Sequence, residues 1–168
     1  SLRAPRSGSV REFYANLRDG VEMTTPPVRY AAGGDLPPRT GTLRDVDRFD
    51  GFFFRMGKKE VDKTDILIRL VLECTQEALM DARLDVQALR GSSTGVYVGH
   101  CFSDHLTATK ADEPKTGYEV VNGAHAMAAN RVSWFYDFKG PSLAVDTACS
   151  SSLVALHQAH ADLLAGTV

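Results

Sequence analysis

Among the side chains of this 168-residue sequence that can act as nucleophiles, Cys149 has the most informative surroundings. Ser142 to Val145 reads as a short buried strand that runs into Asp146-Thr147-Ala148-Cys149, and Leu153, Leu156, His160 and Leu163 then trace one face of a helix. A thiol placed where a helix begins meets unsatisfied backbone N–H groups and the positive end of the helix dipole, and both favour the thiolate. The same N–H groups, that of Cys149 included, point to where negative charge builds on a carbonyl oxygen under attack. One turn thus supplies a nucleophile and part of an oxyanion hole, and acyl transfer is the chemistry served. Taken locally, the pattern equally fits a small buried side chain at a strand-to-helix junction, a common feature of α/β folds.

Other candidates are weaker. His100 follows an apolar run, with Cys101, Asp104 and His105 close in sequence, but a catalytic zinc needs three converging ligands and this spacing fits no common motif. A polar loop at the end of a strand is expected there, with no metal site. His125, His157 and His160 fall on expected helices as surface or hydrogen-bonded side chains. The hydroxyls of Ser150, Ser151 and Ser152 need an adjacent base to ionise, so these residues read as small helix-start residues that let substrate approach. Met127 and Phe135 fit an acyl tunnel or, more simply, core packing at helical spacing.

The elements that must position Cys149 are legible in part. Ser9-Val10-Arg11-Glu12 has capping-box spacing, with Val10, Phe13 and Leu17 on one face of a helix that Asp19-Gly20 stops. Pro26, Pro27, Pro37 and Pro38 with Gly33, Gly34 and Gly41 predict a long surface loop without regular ladders from Thr24 to Thr42. Leu67, Leu70, Val71, Cys74 and Ala78 predict an amphipathic helix from Asp65 to about Arg83, with Arg69, Glu73 and Glu77 on its polar face. Gly95 to Gly99 reads as a buried strand. Ala124, Met127, Ala128, Arg131 and Val132 mark a further helix, ended by the turn at Gly140-Pro141. Helices alternating with short strands indicate the α/β class, as one domain or part of one.

Bulk properties exclude several functions. A net charge of -2 from 19 basic and 21 acidic side chains, mixed along the sequence, leaves no basic stripe for nucleic acid. Three scattered cysteines make no disulfide framework and fit a reducing cytosol. Ser1 to Val10 lacks the apolar core of a signal peptide, and no stretch approaches the roughly eighteen apolar residues of a membrane span, so a soluble cytoplasmic protein is expected.

The run Asp146-Thr147-Ala148-Cys149-Ser150-Ser151-Ser152-Leu153-Val154-Ala155-Leu156-His157 resembles the active-site segment of β-ketoacyl synthases. Asn130 to Ser142 resembles the segment preceding that cysteine in animal-type fatty acid synthases and related polyketide synthases. Phe49-Asp50-Gly51-Phe52-Phe53-Phe54 is similar to the family's Phe-Asp-x-x-Phe-Phe element, and Leu36 to Gly41 sits before it as in animal fatty acid synthases. The resemblance implies a thiolase-like fold, of which the chain is most of the first half and is expected to be truncated at both ends, in a homodimer. It implies that an acyl group moves from the phosphopantetheine arm of acyl carrier protein to Cys149, after which a malonyl thioester loses CO₂ and condenses with it. The chain itself is expected to bind no cofactor. The family's His-Gly-Thr-Gly-Thr and Asn-x-Gly-His motifs do not occur in this sequence, so Cys149 is its one catalytic residue and condensation by the chain alone is not expected. Where the family reads Met-Asp-Pro-Gln, the sequence has Thr64-Asp65-Ile66-Leu67, which keeps Asp65 as a helix cap but lacks proline's preset angle, so a shifted helix start is expected. A fatty acid synthase is the favoured reading, with a modular polyketide synthase or a catalytically silent fragment as alternatives.

Overall fold

A computed structural model describes residues 1–27, 37–102 and 117–168, and the chain divides into two packing units, Ser1–Arg48 and Phe49–Val168. In the first unit, helix α1 (Val10–Arg18) starts at the expected cap: Ser9 is extended and its Oγ accepts from the Glu12 amide at 3.1 Å. The Glu12 carboxylate returns to the Gly8 amide at 2.8 Å, one residue earlier than in a standard capping box. The face that carries Val10, Phe13 and Leu17 is open to solvent at Val10 and Leu17. Within the expected ladder-free loop, strands β1 (Thr24–Thr25) and β2 (Thr40–Gly41) pair antiparallel. The ladder forms because these residues lie just outside the two proline pairs and keep their N–H donors. Residues 28–36 lie outside the described part.

The second unit carries α2 (Lys58–Asp62), α3 (Ile66–Asp81), α4 (Val86–Leu89), β3 (Val96–Gly99), α5 (Gly117–Asn122), α6 (Met127–Tyr136), β4 (Ser142–Val145) and α7 (Ser151–Ala165). Asp65 caps α3 by accepting from the Leu67 amide at 2.7 Å, and the helix starts at Ile66. A carboxylate cap fixes the start without help from proline. The buried face of α3 is Ile68, Arg69 and Leu72, not the Leu67–Leu70–Cys74 stripe. Residues 66–68 and 70–72 are apolar all round, so the helical period alone does not select a face, and Arg69, assigned to the polar side, is buried.

Phe54, Met56, Leu72, Val132, Tyr136 and Phe138 form the core, with Phe135 and Phe49 packed against it. Phe49 stacks on Phe54 at 5.0 Å, and the Phe135 ring meets Tyr136 edge-on at 4.8 Å. Phe135 is therefore core packing rather than tunnel lining. Burial of each such ring contributes about 2–3 kcal/mol, and the Tyr136 hydroxyl is satisfied at 2.9 Å by Gln76 Oε1. Burial pushes the pKa of that phenol up to about 12.

Strands β3 and β4 pair in parallel, with Val96 opposite Ser142 and Gly99 opposite Val145. Both are half-buried, less enclosed than the sequence suggests. The chain between them passes through α6, which packs on both strands and on α3. Parallel pairing puts the carboxyl ends of the two strands together, and α7 departs from there.

Candidate active site

Beyond Val145 the chain turns sharply. Ala148 takes the left-handed conformation, φ 53°, and a single 3₁₀ turn (Ala148–Ser150) leads into α7. That conformation costs a non-glycine residue about 1–2 kcal/mol and persists only where surrounding contacts enforce it. Here polar contacts enforce it. The Ala148 amide donates to Asp146 Oδ1 at 3.0 Å, and the Thr147 amide to Ser151 Oγ at 2.9 Å. Ser151 Oγ donates in turn to the Ala148 carbonyl at 2.7 Å, and Ser150 Oγ to the Thr147 carbonyl at 2.8 Å. Cys149 stands between these staples, exposed, and its amide N–H has no protein acceptor among the described residues. An exposed thiol beside its own free amide is the arrangement a thioester carbonyl requires on attack.

The base of α7 is fixed from beneath. A Cβ built on Gly99 would lie 2.6 Å from the Ser152 amide nitrogen and 2.7 Å from the Ser151 carbonyl carbon, so only glycine lets β3 approach the first turn this closely. Ser151 and Ala155 form the buried side of α7, and Tyr97 of β3 donates a hydrogen bond to Asp162 farther along it. Desolvation, with the Asp162 carboxylate, pushes the Tyr97 pKa up to about 12.

Comparisons with known proteins place the chain in a family. The whole chain, residues 1–168, matches the family described as "Beta-ketoacyl synthase, N-terminal domain". The chain belongs to the β-ketoacyl synthase family. It is 44% identical over 161 residues to a fatty acid synthase of Anser anser anser, covering 94% of this chain and 46% of that protein. It is 48% identical over 160 residues to a phenolphthiocerol/phthiocerol polyketide synthase of Mycobacterium tuberculosis, covering 88% of this chain and 8% of that one. The chain thus spans less than half the length of these relatives. The ketosynthase from module 6 of the Bacillus subtilis bacillaene synthase superposes with a TM-score of 0.79 at 30% identity, over 99% of this chain and 28% of that one. The fold is accordingly thiolase-like, of the mixed α/β class expected.

Several sequence expectations shift. Leu153, Leu156 and Leu163, which trace one face of the helix, are exposed, because the small residues Ser151 and Ala155 allow the closer approach to β3. Ser150 and Ser151 staple the turn through their hydroxyls rather than simply leaving room for substrate. The signal for that role is a pair of serines just after a turn, whose hydroxyls readily bond to backbone groups three or four residues earlier. His100 lies just past the end of β3, as expected, and is buried there: its amide donates to the Val145 carbonyl at 3.0 Å, and its Nε2 lies 2.8 Å from the Phe102 carbonyl oxygen. His125 precedes α6 instead of lying on it, its ring 4.5 Å from that of His100, while His157 and His160 are exposed on α7. Asp104 and His105 lie outside the described residues. No helix among the described residues is long and apolar enough to cross a membrane.

Proposed function

We propose that Cys149 is the acyl-accepting nucleophile of a 3-oxoacyl-[acyl-carrier-protein] synthase domain. The observation that carries this reading is the exposed thiol on a strained, stapled turn, beside an amide with no acceptor among the described residues. The Cys149 thiolate attacks the carbonyl carbon of an acyl thioester on the phosphopantetheine arm of acyl carrier protein, and the Cys149 amide stabilises the tetrahedral oxyanion. The carbon–sulfur bond to the arm then breaks, and the released thiolate takes up the proton given by Cys149. In the complete domain a malonyl thioester loses CO₂, and its α-carbon attacks the acyl-cysteine, forming the 3-oxoacyl product and freeing Cys149. The family's decarboxylating histidines belong to motifs outside this sequence, so the 168 residues are expected to load an acyl group without making 3-oxoacyl product.

The leucines exposed on α7, with Leu164 at 77%, support burial against further protein surface, in keeping with a homodimeric complete domain. The resemblance of Leu36 to Asp50 and of Trp134 to Ser142 to animal synthases supports a fatty acid product. The 48% identity to a mycobacterial polyketide synthase supports a polyketide product as the second reading. Intact mass of the chain after incubation with a short acyl-N-acetylcysteamine thioester tests the nucleophile. One acyl group per chain is expected, absent from Cys149→Ala; loading that survives this substitution contradicts the assignment.

A further inference from the structure

Three cations, Arg55, Arg90 and Lys139, line a cavity of about 360 Å³ together with one carboxylate, Asp137, and the exposed ring of Trp134. Lys139 Nζ pairs with Asp137 Oδ1, and Arg90 Nη2 stands 4.0 Å from Oδ2, so that carboxylate is already shared. Two positive charges are left without a counter-charge in the lining. Cations gathered at one concavity repel one another and raise the local potential, and a bound anion offsets both. The arrangement is fixed by the backbone. The Gly91 amide donates to the Asp137 carbonyl and the Lys139 amide to the Ser92 carbonyl, both at 2.8 Å, while Arg90 Nη1 donates to the Phe135 carbonyl at 3.2 Å. Arg55 is held in the left-handed conformation, φ 56°, which strains a residue of its type. Its guanidinium has no partner among the described residues, so the strain serves no contact within the chain. An arginine fork of unpaired donors beside uncompensated positive charge matches phosphate in shape and in charge. A carboxylate would offset one of the two charges, whereas a phosphate monoester carries close to two negative charges at neutral pH.

We propose that this cavity binds a phosphate monoester, with the phosphoryl group among Arg55, Arg90 and Lys139 and the apolar body against Trp134, at a site separate from Cys149. Lys139 precedes β4, whereas Cys149 follows the other end of that strand, about 13 Å of extended chain away.

Trp134 is the chain's one tryptophan and stands 62% exposed in the cavity lining, so its emission reports on occupancy directly. The 168-residue chain is titrated in mildly alkaline buffer of constant ionic strength with three probes: phenyl phosphate, phenyl sulfate, which has the same shape and one charge fewer, and inorganic phosphate, which lacks the ring. A saturable change with phenyl phosphate is expected, with phenyl sulfate and inorganic phosphate each weaker by about fivefold or more. Arg55→Gln, at an exposed side chain on which folding does not depend, should weaken phenyl phosphate by about fivefold and leave the thermal midpoint in place. Asp137→Asn should act in the opposite direction and tighten phenyl phosphate about threefold, because the one repelling charge is gone; a purely structural role for Asp137 would not produce that reversal. Carbamidomethylation of Cys149 should leave every one of these constants unchanged, so that failure of this site and failure of the nucleophile are read separately. The proposal is overturned by the absence of a saturable response to phenyl phosphate, by phenyl sulfate or inorganic phosphate binding as tightly, by Arg55→Gln binding at the parent's strength, by Asp137→Asn weakening the complex, or by a response that disappears when Cys149 is blocked.

Discussion

Strand β4 is bracketed by two left-handed residues, Asp137 before it at φ 59° and Ala148 after it at φ 53°, and they are held in that conformation by different means. Aspartate is among the residue types that tolerate this region, and Asp137 does what a helix C-cap does: its amide returns to the Ser133 and Trp134 carbonyls as α6 ends. Its side chain pairs with Lys139, the main cause holding that carboxyl below the usual range. Ala148 has no intrinsic tolerance and no charge partner. Its conformation rests on the Asp146, Ser150 and Ser151 hydrogen bonds to the turn and on the glycine floor at Gly99. The first turn agrees with its local sequence, whereas the second opposes it, and the second presents the thiol. Strain imposed by surrounding contacts is what separates a reactive junction from a structural one.

The largest effect is expected at Cys149 itself. Cys149→Ser should cut acyl loading by about a thousandfold or more, because the alcohol has no adjacent base among its hydrogen-bond partners, while the thermal midpoint stays within a few degrees. Glycine substitutions at the two ends of the strand pair sharpen the contrast. At Gly140 an added Cβ would meet the Ser93 carbonyl oxygen at 2.2 Å, and at Gly99 the α7 backbone. Both Gly140→Ala and Gly99→Ala should lose about 2–3 kcal/mol in urea unfolding, but only Gly99→Ala should slow loading of the protein that remains folded. Ser151→Ala strips the Thr147 amide of its acceptor and should cost about 1–2 kcal/mol with slower loading. Ala148→Gly relieves the strain and should raise stability by about 0.5–1 kcal/mol, yet reduce the loading rate as the turn loosens. A loading rate that rises in Ala148→Gly would remove strain from the account. The smallest change is expected for Asp137→Asn, which keeps the tolerant residue type and loses the exposed pairs with Lys139 and Arg90. Because the folded carboxyl titrates below its unfolded counterpart, the pairs' contribution is present above the unfolded value near 3.8 and fades as pH falls through the folded one. The difference in midpoint between Asp137→Asn and the parent should therefore vanish in acid.

The strand, turn and helix around Cys149 were legible because each carries its own punctuation: Gly140-Pro141 before β4, small residues at the turn, and Gly166 at φ 67° beyond α7. What faces what was less legible. On α3 and α7 leucine and isoleucine occupy several faces, and the choice fell to the neighbours: small residues that admit β3 on α7, and the Phe54–Tyr136 core on α3. The strands β1 and β2 escaped notice because two-residue ladders leave no period to detect. The ion pair between Glu60 and Arg131 joins residues 71 positions apart in sequence, which no local pattern encodes. The staples of the Cys149 turn all lie between Asp146 and Ser151 and were in principle readable, but serine beside a cysteine draws attention to nucleophilicity first.

The most direct test of the central claim is the rate at which each of the three cysteines is acylated in one reaction, followed by peptide mass spectrometry. Cys149 is expected to acquire the acyl group at least tenfold faster than Cys74 or Cys101, consistent with its exposure and the half-buried state of the other two. In the Ala148→Gly protein that margin should narrow. Equal rates at all three thiols in the folded chain would contradict the account and leave the turn a purely structural junction.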